Sequence, residues 1–199
     1  MTPEEVLTLF KERGALLQGH FKLTSGLHSD SYLQCALVLQ YACDADRLGA
    51  ELARKFKDPN QEKPVTTVIA PALGGILLGY VIARPLGARS LYAERVDGKF
   101  ALRRGFALAP GENVIIAEDV LTTGGSVREL FNLVEEARAH VVGIAALADR
   151  SESTLKFPVR KEALLRLPLV TYQPDTCPLC QQGIPLVKPG SRPEPAKRI

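Results

Sequence analysis

Residues 114–126 constrain this chain more than any other stretch. Val114-Ile115-Ile116-Ala117 reads as a strand buried on both faces, the kind found in parallel sheets covered by helices. The strand is expected to end on two adjacent carboxylates, Glu118 and Asp119. Val120-Leu121-Thr122-Thr123-Gly124-Gly125-Ser126 follows, and helical periodicity resumes from Val127 to Arg138. A helix N-terminus presents unbonded N–H groups and a partial positive charge, and two glycines let a ligand approach the backbone closely. Thr122, Thr123 and Ser126 add hydroxyls at the same point. One end of the unit suits a phosphate, and the acidic pair suits sugar hydroxyls or a metal. An ordinary βα turn with a Thr/Ser cap has a similar outline. Paired acids at the C-terminal end of a parallel strand are less ordinary, and ligands gather at that edge of α/β sheets.

Further strands are expected at residues 66–70, 90–94, 141–148 and 164–172, with helices between them, which makes the chain α/β. At 199 residues it fits one domain over 1–173, followed by a Pro-rich tail over 174–199 that holds six of the 14 prolines. A hydrophobic content of 46% with 24% charged residues supplies a soluble core. The net charge of +3 is too small to argue for nucleic acid. The four cysteines and the lack of an export signal in Met-Thr-Pro-Glu-Glu point to reduced thiols in the cytoplasm. Residues 65–83 carry no charge, but Pro71, Gly74, Gly75 and Gly79 divide them into a strand, a turn and a buried helix rather than a membrane span. Neither G-x-x-x-x-G-K-[ST] nor G-x-G-x-x-G occurs, which disfavours nucleotide hydrolases and dinucleotide binders.

Thr2, Pro3 and Glu5 form a capping box that starts a helix over Val6, Leu7 and Phe10. Asp44 is expected to cap a helix carrying Leu48, Leu52, Ala53 and Phe56, which the polar loop 57–64 ends. Ala72, Leu73, Gly74 and Gly75 form a second glycine-rich strand-to-helix junction, able to meet an anion through backbone N–H groups. Residues 95–105 read as a cationic hairpin turning on Asp97-Gly98: a solvated hairpin, or a lid that brings positive charge to a leaving group. Asp149-Arg150 ends the strand at 141–148 and lies again at the ligand edge. Arg150 there is a surface partner of Asp149 or a fork for a substrate carboxylate.

The strand, Glu118-Asp119 and the Thr/Gly-rich loop resemble the phosphoribosyl-pyrophosphate (PRPP) motif of type I phosphoribosyltransferases. Phe21, Ser25, Gly26, Ser29 and Tyr32 match a hood segment, Phe-x-x-x-Ser-Gly-x-x-Ser-x-x-Tyr, of orotate phosphoribosyltransferases. Arg103-Arg104-Gly105-Phe106 and the Cys-x-x-Cys tail resemble a shorter bacterial form. The resemblance implies a Rossmann-like fold, with a central mostly parallel sheet flanked by helices and a small hood largely from residues 1–40. It implies that Glu118 and Asp119 hold the ribose hydroxyls, that Thr122 to Ser126 hold the 5′-phosphate, and that residues 72–75 hold pyrophosphate. It further implies Arg95 and Lys99 as lid cations acting with Asp119 in catalysis. Orotate would lie against Thr122, Arg150, Tyr32 and Leu33. Mg²⁺ would ride on PRPP with few protein ligands, Asp119 being the candidate. The lid would reach the neighbouring site of a homodimer. Thr24 and Gly74 stand where many members carry lysines, and the lid is short and lacks a histidine, so base identity is less fixed than reaction class. The alternatives are a purine or xanthine phosphoribosyltransferase and a PRPP-sensing regulator that binds nucleic acid.

Cys177-Pro178-Leu179-Cys180 is half a zinc site or a redox pair. Cys35 and Cys43 could complete a tetrahedron, although their seven-residue gap suits no familiar knuckle. A redox pair would open a helix after a strand, which the sequence does not suggest. The reading taken is reduced structural thiols, with zinc as the alternative.

Overall fold

The computed structural model describes residues 1–23, 25–57, 64–151, 155–167 and 170–189. Thr24, most of the polar loop at 57–64 and the last stretch of the Pro-rich tail lie outside the described residues. Two compact units emerge, one of Met1–Ala15 and Cys35–Pro168, the other of Leu16–Gln34 and Leu169–Ile199. Of the expected hood over 1–40, residues 16–34 therefore group with the tail, and residues 1–15 with the larger unit.

The larger unit opens with α1 (Pro3–Glu12), whose capping box is complete. Glu5 N donates to Thr2 Oγ1 at 3.2 Å and Thr2 N donates to Glu5 Oε2 at 2.8 Å, a motif that stabilises a helix start by about 1 kcal/mol. The second unit holds β1 (Leu16–Lys22) and β2 (His28–Leu33). The chain returns to the larger unit through a four-residue helix, α2 (Ala36–Leu39), and α3 (Ala42–Phe56). Asp44 does not cap α3. Tyr41 holds that position, and Asp44 lies in the first turn, where Arg13 Nε donates to its Oδ2 at 2.8 Å. Asp44 is drawn into a tertiary ion pair with Arg13, just after the end of α1, so a cap-type residue ends up three positions past the cap, inside the first turn of the helix.

β3 (Thr67–Pro71) leads into α4 (Gly75–Leu86), then β4 (Arg89–Val96) and β5 (Lys99–Leu102). β6 (Asn113–Leu121), α5 (Gly125–Glu136), β7 (His140–Asp149) and β8 (Lys161–Arg166) complete this unit. The uncharged stretch 65–83 thus divides between β3 and α4, and no helix of the described residues is long and apolar enough to cross a membrane. β6 runs through the acidic pair rather than stopping at it, because its pairing with β7 continues to Leu121 opposite Asp149.

The sheet order is β5-β4-β3-β6-β7-β8, parallel except for the edge strand β5. Side-chain alternation along β3 fixes the layers. Val68 and Ala70 lie beneath Gly79 of α4, whereas Ile69 joins Val114, Ile116, Val127, Leu130 and Val134 in the core under α5. Helices therefore cover both faces, and β3 and β6 read as continuous apolar runs. The order also places a topological switch between β3 and β6. From β3 the chain moves outward to β4, and from β6 it moves outward the other way to β7.

The expected final strand at 164–172 is two strands. β8 ends at Arg166 in the large sheet, and β9 (Thr171–Tyr172) pairs with β2 in the second unit. A 3₁₀ turn (Pro174–Thr176), the four-residue α6 (Pro178–Gln181) and β10 (Leu186–Val187) follow, giving a four-stranded sheet β10-β1-β2-β9. Cys35 and Cys43 belong to the larger unit, and the side chains gathered about Cys177 and Cys180 are His20 and His28.

Candidate active site

The C-terminal ends of β3, β6 and β7 meet at the switch point, where open α/β sheets take their ligands. Ile69 is in register with Ile116, so the junction after β3 arrives level with the acidic pair on β6. A Cβ built on Gly74 would come within 2.5 Å of Asp119 Oδ2. Residue 74 is thus glycine because the carboxylate occupies the space a side chain would need. The Ala72–Leu73 peptide is cis, and Ala72 N donates to Ala93 O at 2.8 Å, tying the junction to β4. Leu73 and Gly74 are exposed, and α4 starts with no side-chain cap.

Alternation along β6 puts Asp119 on the α4 face, next to Gly74, and Glu118 on the α5 face. Glu118 is buried and Asp119 half-buried. Asp119 Oδ1 accepts from Val120 N at 2.8 Å, which leaves Oδ2 toward the junction. Behind it, the Cys35 thiol donates to the Asp119 carbonyl oxygen at 3.8 Å. Burial, and then the Asp119 and Glu118 carboxylates, push that thiol well above its ordinary pKa, with Arg150 acting the other way. Cys35 is therefore a neutral packing group beside the site.

Thr122, Thr123 and Gly125 are exposed, and Ser126 is half-exposed. Gly124 precedes α5 at φ +75°, a left-handed conformation that turns the chain sharply into the helix, and no side chain caps the helix start. The bend therefore presents backbone N–H groups outward at the positive end of a 12-residue helix. Arg128, which the motif itself does not single out, donates from Nη1 to Thr123 O at 2.8 Å and adds a cation beside the bend. Its position one turn into α5 was the available signal. A Cβ at Gly124 would meet Phe157 Cζ at 2.9 Å. Gly124→Ala should cost about 1–2 kcal/mol from the left-handed φ alone, lowering the melting temperature by roughly 2–8 °C. It should also raise KM for a phosphate-bearing substrate at least about tenfold; differential scanning calorimetry and initial rates read the two effects.

Arg150 is buried at the end of β7, and its N–H donates to Leu121 O at 2.8 Å, beside the first residue of the bend. Asp149 has another partner: Lys161 Nζ lies 2.7 Å from its Oδ2. Burial raises the Asp149 pKa, but the hydrogen bonds from Lys161 and Ser151 outweigh it and hold the carboxyl below its ordinary value.

The cationic segment forms the β4–β5 hairpin. Asp97 at φ 50° and Gly98 at φ 83° make the two-residue turn that antiparallel strands prefer. Arg95 is engaged locally. It forms a two-pronged ion pair with Glu129 of α5 at 2.8 and 2.9 Å, and its guanidinium lies 4.1 Å from the Phe100 ring centroid. Lys99 is exposed at the start of β5, while Arg104 is bound to Glu94 at 2.7 Å. Tyr32 and Leu33 end β2 in the second unit.

Residues 44–158 match the phosphoribosyl transferase domain family. The orotate phosphoribosyltransferase of Desulforamulus reducens is 52% identical over 192 residues, covering 96% of this chain and 98% of that one. The orotate phosphoribosyltransferase of Pelotomaculum thermopropionicum is 50% identical over 96% of this chain and 99% of its own. Among solved structures, orotate phosphoribosyltransferase from Aeropyrum pernix superposes with a TM-score of 0.65 at 23% identity, over 81% of this chain and 93% of its own. The Saccharomyces cerevisiae adenine phosphoribosyltransferase has the same fold, with a TM-score of 0.63 at 20% identity over 80% of this chain and 99% of its own. With Asp119 set against Gly74 at its switch point and full-length relatives at this identity, the chain belongs to the orotate phosphoribosyltransferase family.

Proposed function

We propose that this chain transfers the ribose 5-phosphate group of PRPP to orotate, giving orotidine 5′-phosphate and pyrophosphate in pyrimidine biosynthesis. The observation that carries the site assignment is the meeting of Gly74 with Asp119 beside the exposed bend at 122–126. The reaction needs three chemistries, and these strand ends offer each: amide donors for a 5′-phosphate, carboxylates for ribose hydroxyls, and a glycine junction for pyrophosphate. Glu118 and Asp119 orient the ribose, and Thr122 to Ser126 seat the phosphate. Ala72, Leu73, Gly74 and Gly75 receive the departing oxygens, with Lys99 and Arg95 as lid cations. Arg95 would first exchange Glu129 for substrate. Thr122 and Arg150 take the orotate side, and Tyr32 and Leu33 keep the base-side role that the resemblance implies. No protein nucleophile is required, because positioning and charge stabilisation in a dry site lower the barrier.

The half-buried Asp119 carboxylate, with Oδ2 turned toward the glycine junction, is a hard oxygen donor that fits Mg²⁺ carried in on PRPP. The ion would neutralise the leaving pyrophosphate. We place the reaction in the cytoplasm. Loss of orotate absorbance on mixing the protein with PRPP and Mg²⁺ tests the reading. Turnover of a purine with none of orotate would replace it.

A homodimer is part of the proposal, supported by the exposed Leu77 and Tyr80, which lie one turn apart near the start of α4. Leu77→Arg should convert the dimer to monomer in sedimentation velocity; a parent protein that sediments as a monomer would end this part of the proposal.

A further inference from the structure

The second unit buries little hydrocarbon. Among its described residues the buried apolar side chains are Phe21, Leu33 and Cys177, while His20, His28 and Ser29 are buried polar ones. Assemblies this small usually depend on a disulfide or a metal for their stability. His28 stands opposite Lys22 in the β1–β2 hairpin, and His20 lies two residues before Lys22, so both imidazoles share one face. Cys177 and Cys180 come from the C-terminal segment whose strands β9 and β10 flank that hairpin.

The four ligand atoms all lie within 4.8 Å of one another. His20 Nε2 is 3.5 Å from Cys177 Sγ and 3.7 Å from Cys180 Sγ. His28 Nδ1 is 3.4 Å from Cys180 Sγ and 2.9 Å from His20 Nε2. A tetrahedral zinc ion with nitrogens at about 2.0–2.1 Å and thiolates at about 2.3 Å has ligand-to-ligand edges of about 3.3–3.8 Å. Three of the four measured edges fall in that range, and the fourth is a few tenths of an ångström short.

The tautomer agrees. His20 Nδ1 lies 2.7 Å from the Ile184 carbonyl oxygen, which can only accept, so Nδ1 carries the proton and the Nε2 lone pair points into the cluster. A backbone carbonyl holding the far nitrogen of a ligating histidine is the usual outer-shell partner in zinc sites. The Cys-x-x-Cys spacing fits, while the wide gap between the histidines reflects their placement on adjacent strands rather than on one helix.

We propose that His20 Nε2, His28 Nδ1, Cys177 Sγ and Cys180 Sγ bind Zn²⁺ in a closed structural site that staples the C-terminal segment to the β1–β2 hairpin. Four protein ligands leave no open position, so the ion has no direct role in chemistry. Binding releases the two thiol protons, and its free energy becomes folding free energy of this unit. The proposal does not rest on the phosphoribosyl transfer reading.

Full-length protein purified under reducing conditions should carry one zinc per chain by elemental analysis. Replacement by Co²⁺ should give the visible bands of a tetrahedral ion and thiolate charge-transfer bands in the near ultraviolet. Cys180→Ser, at an exposed position, should weaken zinc binding by more than about 100-fold, while Cys43→Ser should bind as the parent does. Chelation should lower the melting temperature of the parent, and added Zn²⁺ should restore it. Reduced parent protein that takes up no zinc on reconstitution would overturn the proposal. So would a Cys177–Cys180 disulfide in fresh metal-free protein, or undiminished binding by Cys180→Ser.

Discussion

Asp119→Asn should lower kcat/KM for PRPP by about 10²–10³-fold, the loss typical of removing one preorganised electrostatic partner, with little change in melting temperature. The carboxylate uses Oδ1 to accept from Val120 N–H at 2.8 Å, and an asparagine oxygen would take that place. The amide NH₂ would then occupy the position of Oδ2, facing Gly74. A donor would replace an acceptor where ribose hydroxyls, or a metal riding on PRPP, need negative charge. The fold tolerates the change because the side chain is half-buried and keeps its backbone bond. A loss of less than about tenfold, with the fold intact, would remove Asp119 from the ribose site.

Arg150→Ala should raise KM for orotate by about 10- to 150-fold, corresponding to a charged hydrogen bond of about 1.5–3 kcal/mol. KM for PRPP should move only a few-fold. Arg150 follows β7 with its N–H on Leu121 O, so its backbone sits beside the bend. Lys161 Nζ already lies 2.7 Å from Asp149 Oδ2. A planar fork suits a carboxylated ring, and Arg150→Lys should recover only part of the loss. Because Arg150 is 6% exposed, truncation also carries a packing cost, and that cost would move both KM values together. An unchanged KM for orotate would take this residue out of the base site.

The sequence made the site's local pieces legible and left their juxtapositions hidden. Glu118 to Ser126 are consecutive, so strand, acids, glycine bend and helix could be read as one unit. That Gly74 lies against Asp119 depends on β3 pairing with β6 across a crossover, and no local pattern encodes it. The same limit explains Asp44, a capping residue by type that is claimed by Arg13 on a different helix. It also explains residues 164–172, whose apolar pattern continues while the chain passes from one sheet to another. For Cys177 and Cys180, cysteines drew attention to Cys35 and Cys43, whereas the groups beside them are two histidines about 150 residues earlier in the chain. Arg95 reads as a lid cation from its neighbours in sequence, but Glu129 on α5 holds it.

The central claim is that a ribose monophosphate sits between the two acids and the bend after them. Crystals soaked with ribose 5-phosphate test it most directly. The expected density has the phosphate on the backbone N–H groups of residues 123–126 and the ring hydroxyls on Glu118 and Asp119. A sugar phosphate bound elsewhere, with the bend untouched at saturating concentration, would contradict it.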